Sequence, residues 1–381
     1  MSMEGFSSLS FTLLFLHAAL AASSSPSLSP ESSLPPLPEN EWTVSTALFI
    51  FGDSFFDVGN NNHINTTTLD QANFWPYGET YFRYPSGRFS DGRVVPDFIA
   101  EKARLPFIPP FLQPGISHHF GINFASAGAG ALVETFQGSV IDLKTQLRYF
   151  KKVEHRLRQK LGKSKARIKL SKAVYMFAIG SNDYMSPFLT NSSASSLLDS
   201  KYVEMVIGNL TTVIKDIYAK GGRNFGFINL PPLGCLPGLR ILRASDDSKC
   251  HEEVSLLAEL HNKALSRRLV ALKNKLRRFR YSLYDFNAFL RQRINHPSKY
   301  GFIGGKDACC GTGTFRGVYS CGGKRIVKEY ELCEDPSRYI YWDSYHLTER
   351  AYQQLAEEMW GGKGNTYKLS PYNLKDLFRG V

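Results

Sequence analysis

The chain has 381 residues, of which 43% are hydrophobic and 13% aromatic, and a formal net charge of +12. This composition excludes a disordered, collagen-like or coiled-coil protein, and the length allows one large domain or two of ordinary size. The six cysteines include no C-x-x-C pair, so neither a zinc ribbon nor a thioredoxin-like redox site is indicated.

The N-terminal residues 1–25 are typical of a secretory signal peptide. The apolar run 11–22 is too short to span a bilayer and is followed by small residues, which predicts cleavage near residues 22–25. The Ser/Pro-rich segment 26–44 is typical of a linker. A disordered tail is the alternative interpretation of this region. Because no later run has the roughly 18 uninterrupted apolar residues of a membrane span, we expect the mature protein to be secreted and soluble.

Short apolar runs alternate with helical patterns along the rest of the chain. The predicted strands are 46–51, 121–125, 173–179, 225–230 and 281–286, and the predicted helices are near 94–104, 142–162, 199–220, 251–277 and 347–359. This alternation predicts an α/β fold with a parallel sheet of about five strands and helices on both faces. In such folds ligands bind beyond the carboxyl ends of the strands.

The residues at these strand ends suit acyl transfer. Ser54 follows the first strand, after Gly52 and Asp53, and is a candidate nucleophile. Asp343 and His346 are three residues apart in one late loop, so the carboxylate can orient the imidazole. The third strand ends near Asn182, whose amide can donate to an oxyanion, and the second ends in the Gly-rich run 121–130 with its backbone N–H groups.

Each of these motifs alone has an ordinary explanation as a turn, a loop pair or a helix N-cap. Their combination, in this order and at alternating strand ends, is more specific than any one of them. The Gly-x-Ser-x-Gly elbow of α/β-hydrolases is absent from the sequence, so that serine-hydrolase fold is disfavoured.

Four sequence blocks resemble those of the GDSL esterase/lipase family, in particular its plant secreted branch. The blocks are 51–61, 123–128, 180–183 and 343–346. The resemblance spans residues 45–360, which we interpret as the hydrolase domain, and leaves 361–381 as a C-terminal extension. Phe55 stands where the family name records leucine, and this difference should not change the chemistry.

The resemblance implies a flavodoxin-like SGNH-hydrolase fold and assigns the site. The four namesake residues are Ser54, Gly128, Asn182 and His346, and Asp343 completes the triad. The N–H groups of Ser54 and Gly128 and the side chain of Asn182 then form the oxyanion hole. Gly130 also fits the position given to Gly128.

We therefore expect a secreted serine esterase or lipase that hydrolyses lipid or other acyl esters through an acyl-enzyme, with no cofactor and no metal. The resemblance also implies an extracellular location, in the apoplast or cell wall. Two alternatives remain open. One is an acyltransferase that uses the same triad, and the other is a catalytically silent protein that binds wall material or lipid.

A two-metal phosphoesterase site built on Asp53, Asp57 and Asn60 is a further, weaker alternative. Such a site needs histidine ligands, and the nearby histidines fall in sequence typical of surface loops. We instead expect the two aspartates to cap or brace the loop around Ser54. Several aromatic residues near the motifs suit either an acyl pocket or the core: Phe55, Phe56, Trp75, Tyr77, Phe82, Trp342 and Tyr345.

Glycosylation acceptors and late cysteines agree with an oxidising compartment. Asn65, Asn191 and Asn209 are acceptors by sequence. The candidates for disulfides are Cys235, Cys250, Cys309, Cys310, Cys321 and Cys333. We predict a Cys235–Cys250 bridge with the other four cysteines paired among themselves, and six reduced thiols are the alternative.

Two basic clusters, over 144–172 and 267–280, predict contact with an acidic cell-wall or membrane surface. The alternative is a solvated helix face, since apolar residues still mark a buried stripe. Nucleic acid is not an expected partner of a secreted chain. The expected partner of the site is a small-molecule or lipid ester, and we expect a monomer.

Overall fold

A five-stranded parallel sheet lies at the centre of the protein, as the sequence predicts. The computed structural model describes residues 46–190, 200–242, 249–362 and 367–380, so the predicted signal peptide, the segment 26–44 and Asn191 lie outside the described residues. The strands are β1 (Leu48–Gly52), β2 (Gly121–Asn123), β3 (Val174–Ala178), β4 (Asn224–Ile228) and β5 (Arg280–Tyr284). Their order, β2-β1-β3-β4-β5, is the flavodoxin-like order, in which ligands bind where β1 and β3 diverge.

Helices cover both faces of this sheet. They are α1 (Val95–Lys102), α2 (Leu143–Leu161), α3 (Lys163–Lys172), α4 (Ser181–Leu189), α5 (Ser200–Lys220), α6 (Pro237–Arg240), α7 (Glu252–Lys275), α8 (Phe286–Asn295), α9 (Glu349–Gly361) and α10 (Leu374–Arg379). Short 3₁₀ helices lie at Asn60–His63, Thr68–Asp70, Leu233–Cys235, Pro297–Tyr300, Thr314–Arg316 and Pro336–Arg338. Helices α2, α5 and α7 pack side by side, and α1, α9 and α10 form a second layer. No helix in the described ranges is long and apolar enough to cross a membrane.

Stacked aromatic rings fix the register of the central strands. Phe49 of β1 pairs with Tyr175 of β3, and Phe51 pairs with Phe177, with ring centroids 5.4 and 4.9 Å apart. Both stacks of rings, here called the aromatic rows, continue onto Phe225 and Phe227 of β4 at similar spacing. A slip of one residue would turn the rings of a strand to the opposite face of the sheet, so the packing selects one register. The loops that follow β1 and β3 are thereby set side by side.

The structure differs from the sequence prediction mainly in extra helices and in strand ends. Helices α3, α4, α6, α8 and α10 were not predicted. In α3 the described buried side chains are Ala166 and Leu170, a stripe too thin to give a clear period. Strands β2, β4 and β5 each end two residues before the predicted end. For β5 the reason is Asp285, whose side chain accepts from Ala288 N and caps α8.

The C-terminal residues pack on the sheet. The N–H of Leu369 donates to the carbonyl of Leu283 in β5 at 2.9 Å. Helix α10 buries Leu374 directly over Gly226 of β4, where a Cβ would lie 2.6 Å from the leucine. Residues 367–380 therefore contribute to the core.

Two small sheets and two disulfides organise the chain between α8 and α9. Strand β6 (Gly304–Ala308) pairs with β9 (Tyr339–Tyr341), and β7 (Cys310–Gly311) pairs with β8 (Glu331–Leu332). The six cysteines form the bridges Cys235–Cys250, Cys309–Cys333 and Cys310–Cys321. The predicted first bridge is confirmed, as is the pairing of the other four cysteines among themselves, and the alternative of six reduced thiols is wrong.

Candidate active site

Ser54, Asp343 and His346 meet at the carboxyl end of the sheet. His346 Nε2 lies 2.7 Å from Ser54 Oγ. On the other side of the imidazole, Nδ1 lies 2.8 and 2.9 Å from the two carboxylate oxygens of Asp343. All three side chains are buried or nearly so. This chain of nucleophile, base and acid is the arrangement that activates a serine hydroxyl.

The turn that carries Ser54 is held by a close approach of β1 to β3. A Cβ on Gly52 would lie 2.4 Å from the carbonyl oxygen of Ala178, so no side chain fits there. Gln146 of α2 closes the turn, since its Oε1 accepts from Gly52 N at 2.9 Å and its Nε2 donates to Gly52 O at 2.8 Å. The sequence gives no signal for Gln146, because the two residues are 94 positions apart.

Two aspartates near the nucleophile have pKa values that are shifted in opposite directions. Asp53 accepts from Phe55 N at 3.1 Å, but its burial raises its pKa to about 8. Burial by itself would raise the pKa of Asp343 as well. There the charge and hydrogen bond of His346 and the hydroxyl of Tyr77 outweigh burial and lower the pKa to about 2. Asp343 is therefore the ionised partner of the imidazole across the working pH range.

Tyr77 is a member of the site that the sequence did not assign. Its hydroxyl donates to Asp343 Oδ2 at 2.7 Å, while Asp343 Oδ1 accepts from the N–H groups of Tyr345 at 2.9 Å and His346 at 2.8 Å. Burial raises the pKa of Tyr77 far above its ordinary value, so the phenol keeps its proton and acts as a donor. Tyr77 is 266 positions from Asp343, too far for any local pattern to relate them.

Ser54, Gly128 and Asn182 line the cavity, and each carries an N–H group that can donate a hydrogen bond. Asn182 Nδ2 donates one hydrogen to the carbonyl of Ala129 at 3.0 Å, which orients the amide and leaves its second hydrogen for an oxygen atom in the cavity. Within the described residues, no hydrogen bond occupies the backbone N–H of Ser54 or of Gly128. Unoccupied N–H groups of this kind can stabilise a negatively charged oxygen.

Of the two candidate glycines, Gly128 lines the cavity. A Cβ would meet a carboxylate oxygen at either position, that of Asp70 at 2.6 Å from Gly128 and that of Asp183 at 2.4 Å from Gly130. The Asp183 carboxylate accepts from the N–H groups of Ala131 at 2.8 Å and Leu132 at 3.0 Å. Asp183 thus anchors the glycine-rich loop to the end of β3, a role that the sequence did not suggest.

Asp57 and Asn60 brace the same loops. Asp57 accepts from the N–H groups of Gly59 at 2.8 Å, Asn60 at 2.7 Å and Ala127 at 3.1 Å. The Asn60 amide donates to the carbonyls of Asn123, the last residue of β2, and of Ala125. Across the described ranges, no three His, Cys, Asp or Glu side chains are grouped as metal ligands. The contacts of Asp57 and Asn60 are those expected of loop braces.

A cavity of about 350 Å³ opens beside Ser54 and His346. Its apolar and aromatic wall consists of Phe55, Leu69, Phe89, Phe136, Met185, Leu189, Tyr319 and Tyr345. Of the aromatic residues that suited either pocket or core, Phe55 and Tyr345 line the cavity, whereas Phe56 and Trp342 are buried in the core. Most of the wall comes from loops far apart in sequence, which no periodic pattern marks.

Comparison with known proteins agrees with this geometry. Residues 48–359 match the family model described as GDSL-like Lipase/Acylhydrolase. GDSL esterase/lipase 5 of Arabidopsis thaliana is 58% identical over 338 residues, which cover 88% of this chain and 88% of that protein. GDSL esterase/lipase 1 of the same plant is 50% identical over 341 residues, covering 88% and 91%. A GDSL lipase of Tanacetum cinerariifolium is 49% identical over 336 residues, covering 88% of each chain.

Proposed function

The chain belongs to the GDSL-like lipase/acylhydrolase family and is a carboxylic ester hydrolase of that family, and we propose that it is a secreted serine esterase whose nucleophile is Ser54. The observation that carries this proposal is the 2.7 Å contact between His346 Nε2 and Ser54 Oγ. The contact lies at the mouth of an apolar cavity and continues through the imidazole to an ionised carboxylate.

In the proposed reaction, Ser54 Oγ attacks the carbonyl carbon of an ester while His346 Nε2 takes the hydroxyl proton. Asp343 holds the imidazole in the required tautomer and stabilises its charged form. The bond between the carbonyl carbon and the alcohol oxygen then breaks, His346 gives its proton to that oxygen, and the acyl group stays on Ser54. Water repeats the sequence, releases the carboxylic acid and returns the proton to Ser54.

The negative charge that develops on the carbonyl oxygen is assigned to the three donors beside Ser54. In this proposal the N–H groups of Ser54 and Gly128 and the second amide hydrogen of Asn182 donate to this oxygen. Donors of this kind typically contribute about 3 kcal/mol each to the barrier. Their supporting contacts, from Ala129 and Asp183, fix them before the substrate arrives.

The cavity suggests the substrate class. A volume of about 350 Å³ lies in the range of small-molecule sites, and its mainly apolar wall favours an ester with an apolar or aromatic acyl group. An acyltransferase would form the same acyl-enzyme and differ in whether an alcohol, instead of water, reaches it. The experiment below separates these outcomes.

Secretion is supported by three features of the chain. The predicted signal peptide lies at 1–25, all six cysteines are bridged, and the acceptor residues Asn65 and Asn209 are exposed. An extracellular location in the apoplast or cell wall follows from this proposal.

Arginines of the two basic clusters meet Arg223 in a groove of about 430 Å³, here called the basic face, which lies at the end of the sheet opposite Ser54. The groove is lined by Arg167, Arg223, Arg277 and Arg278, where α3, α5 and α7 lead into the amino ends of their strands. No acidic residue lines this groove or the groove beside Arg148 on α2. Some of these cations also stabilise helix C-termini, as Arg223 does by donating to two carbonyls.

For the basic face we propose a carboxylated polysaccharide as partner. Secretion would bring the chain to such polymers, and the arginines offer bidentate donors to carboxylates. The basic face lies at the amino ends of the strands, away from the cavity. The enzyme can therefore be held on a polymer through this face while its cavity stays open. The proposed retention thus leaves the esterase free to act.

The Ser54→Ala variant tests the esterase. We expect hydrolysis of p-nitrophenyl esters to be abolished at every acyl length, because no other group can form the acyl-enzyme, while the melting temperature stays unchanged. Ser344→Ala is the matched control, a buried serine of the His346 loop outside the cavity wall, and should keep activity. A Ser54→Ala enzyme with most of its activity would refute the proposal. Faster acyl release with added alcohol would instead indicate a transferase.

The Asn182→Ala variant tests the oxyanion donors. Loss of one donor should lower kcat by roughly 10²- to 10³-fold and change KM little, because the bond forms in the transition state. Asn224→Ala, which removes a similarly buried amide at the amino end of β4, is the control and should keep kcat. Steady-state kinetics with one ester gives kcat and KM for both variants. Equal kcat values in Asn182→Ala and Asn224→Ala would contradict the role of Asn182 as an oxyanion donor.

Retention on polygalacturonate gel tests the basic face. We expect the protein to bind, to elute as salt rises and to stay active while bound, since screening weakens contacts between exposed charges. Arg277→Glu should elute at lower salt than wild type, whereas Lys299→Glu, with the same charge change at an exposed site elsewhere, should shift less. Retention unaffected by salt, or equal shifts in both variants, would count against the proposal. Binding to anionic vesicles alone would point to a membrane instead.

A further inference from the structure

A fully buried arginine lies behind Asp343. Arg325 has no exposed surface, and its Nη2 donates to the hydroxyl oxygens of Tyr77 and Tyr319, both at 2.8 Å. Its Nη1 donates to the carbonyl of Thr68. Among the described residues it makes no direct ion pair, so a buried positive charge is held here by neutral groups. Such a charge is costly to bury unless its contacts compensate.

The guanidinium fixes the direction of two hydrogen bonds. A guanidinium can donate and cannot accept, so the Tyr77 oxygen must accept from Arg325 and turn its own hydrogen elsewhere. That hydrogen goes to Asp343 Oδ2 at 2.7 Å. By the same argument the Tyr319 hydroxyl donates to the carbonyl of Leu69, at 3.1 Å. One cation therefore orients one donor toward the triad acid and another toward the cavity wall, which both Tyr319 and Leu69 line.

Aromatic rings compensate part of the burial. The guanidinium carbon lies 4.0 Å from the ring centroid of Tyr319, 4.9 Å from that of Phe74 and 5.4 Å from that of Tyr77. The planar guanidinium can stack on such rings and donate from its edge at the same time, which an ammonium group cannot do. The site is therefore built for arginine.

Disulfides tie this arginine to the backbone beside Asp343. Arg325 follows Cys321, which is bridged to Cys310, and the N–H of Cys310 donates to the carbonyl of Trp342 at 2.7 Å. The N–H of Arg325 itself donates to Gly322 O at 3.0 Å. One disulfide and one hydrogen bond thus connect the segment that carries the guanidinium to the backbone beside the carboxylate.

We propose that Arg325 is a positioning residue of the esterase, which acts through Tyr77 on Asp343 and through Tyr319 on the substrate cavity. This inference rests on the proposed function of Ser54, Asp343 and His346. Two separable effects follow. The Tyr77 branch sets the charge balance around His346, and the Tyr319 branch sets the shape of the cavity wall.

Several charged or titratable groups surround Asp343 and His346, and Arg325 is the cation among them. The others are Ser54, Asp53, Asp70, Tyr77, Tyr319, Tyr345 and Tyr352. A nearby positive charge disfavours protonation of the imidazole. Removing that charge should therefore move the acid side of the activity profile to higher pH.

The experiment compares Arg325→Met, Tyr77→Phe, Tyr319→Phe and Arg325→Lys, with the rate of Ser54→Ala subtracted throughout. For Arg325→Met we expect kcat to fall roughly ten- to hundredfold, the range for a loosened catalytic geometry, and the acid limb of kcat/KM to move up by about one pH unit. Tyr77→Phe keeps the cation but removes one donor to Asp343, and a carboxylate with one donor fewer stabilises the imidazolium more, so the acid limb should move in the same direction with little change in KM. Tyr319→Phe should raise KM for the longer acyl esters and leave the limb in place.

Arg293→Met is the matched control, since Arg293 is also buried and stacked on Phe289 and Tyr300 but lies away from the cavity. It should lower the melting temperature without moving the acid limb. Arg325→Lys keeps the positive charge but loses the planar guanidinium and its several donors, so it should lower kcat and shift the acid limb of kcat/KM less than Arg325→Met does. If Arg325→Met fails to fold, Arg325→Lys is used in its place. The inference would be overturned if the acid limb of kcat/KM lay at the wild-type pH in Arg325→Met, Arg325→Lys and Tyr77→Phe. Ser54→Ala with wild-type rates would instead overturn the triad itself.

Discussion

The contact between Ser54 Oγ and His346 Nε2 joins residues 292 positions apart, and most of the polar structure around it serves to hold it in place. A contact of 2.7 Å between two side chains survives only if both backbones are fixed to a fraction of an ångström. On the serine side, the aromatic rows set β1 against β3, and Gln146 closes the turn. On the histidine side, β9 and the disulfide between Cys310 and Cys321 fix the loop that begins at Trp342.

Buried carboxyl groups supply much of this rigidity, and their pKa values differ from one group to the next. Asp57 and Asp183 accept backbone N–H groups from neighbouring loops, and burial raises the pKa of each to about 6 despite those bonds. Asp343 has the opposite balance, because His346 and Tyr77 both favour its charged form. The difference is electrostatic and local, since carboxyl groups of one chemical type become loop anchors in two places and the ionised carboxylate of the proposed triad in a third. When buried polar groups accept hydrogen bonds from neighbouring loops in this way, they specify one arrangement of those loops.

The sequence predicted the parts of the site that chemistry restricts to particular residue types. Ser54, Asp343 and His346 are recognisable because few residues can serve as nucleophile, acid and base, and the α/β alternation placed them at one sheet edge. The sequence left Gly128 and Gly130 as alternatives because both are glycines of one loop, and which of them lines the cavity depends on the folded path of that loop. Gln146, Tyr77 and Arg325 could not be predicted, because their roles are long-range contacts with no local pattern. Helix α3 was not predicted for a different reason, since it buries only two of its described side chains and so shows no clear helical period.

The most direct test of the proposed nucleophile is to locate the acyl group. Wild-type protein incubated with a fluorophosphonate that mimics an ester should gain one label, and peptide mass spectrometry should place it on Ser54, since His346 activates that hydroxyl and the cavity delivers the reagent. Labelling should disappear in Ser54→Ala and slow strongly in His346→Gln. A label on another nearby serine, such as Ser181 or Ser344, or labelling that does not depend on His346, would contradict the assignment of Ser54 as the nucleophile of this esterase.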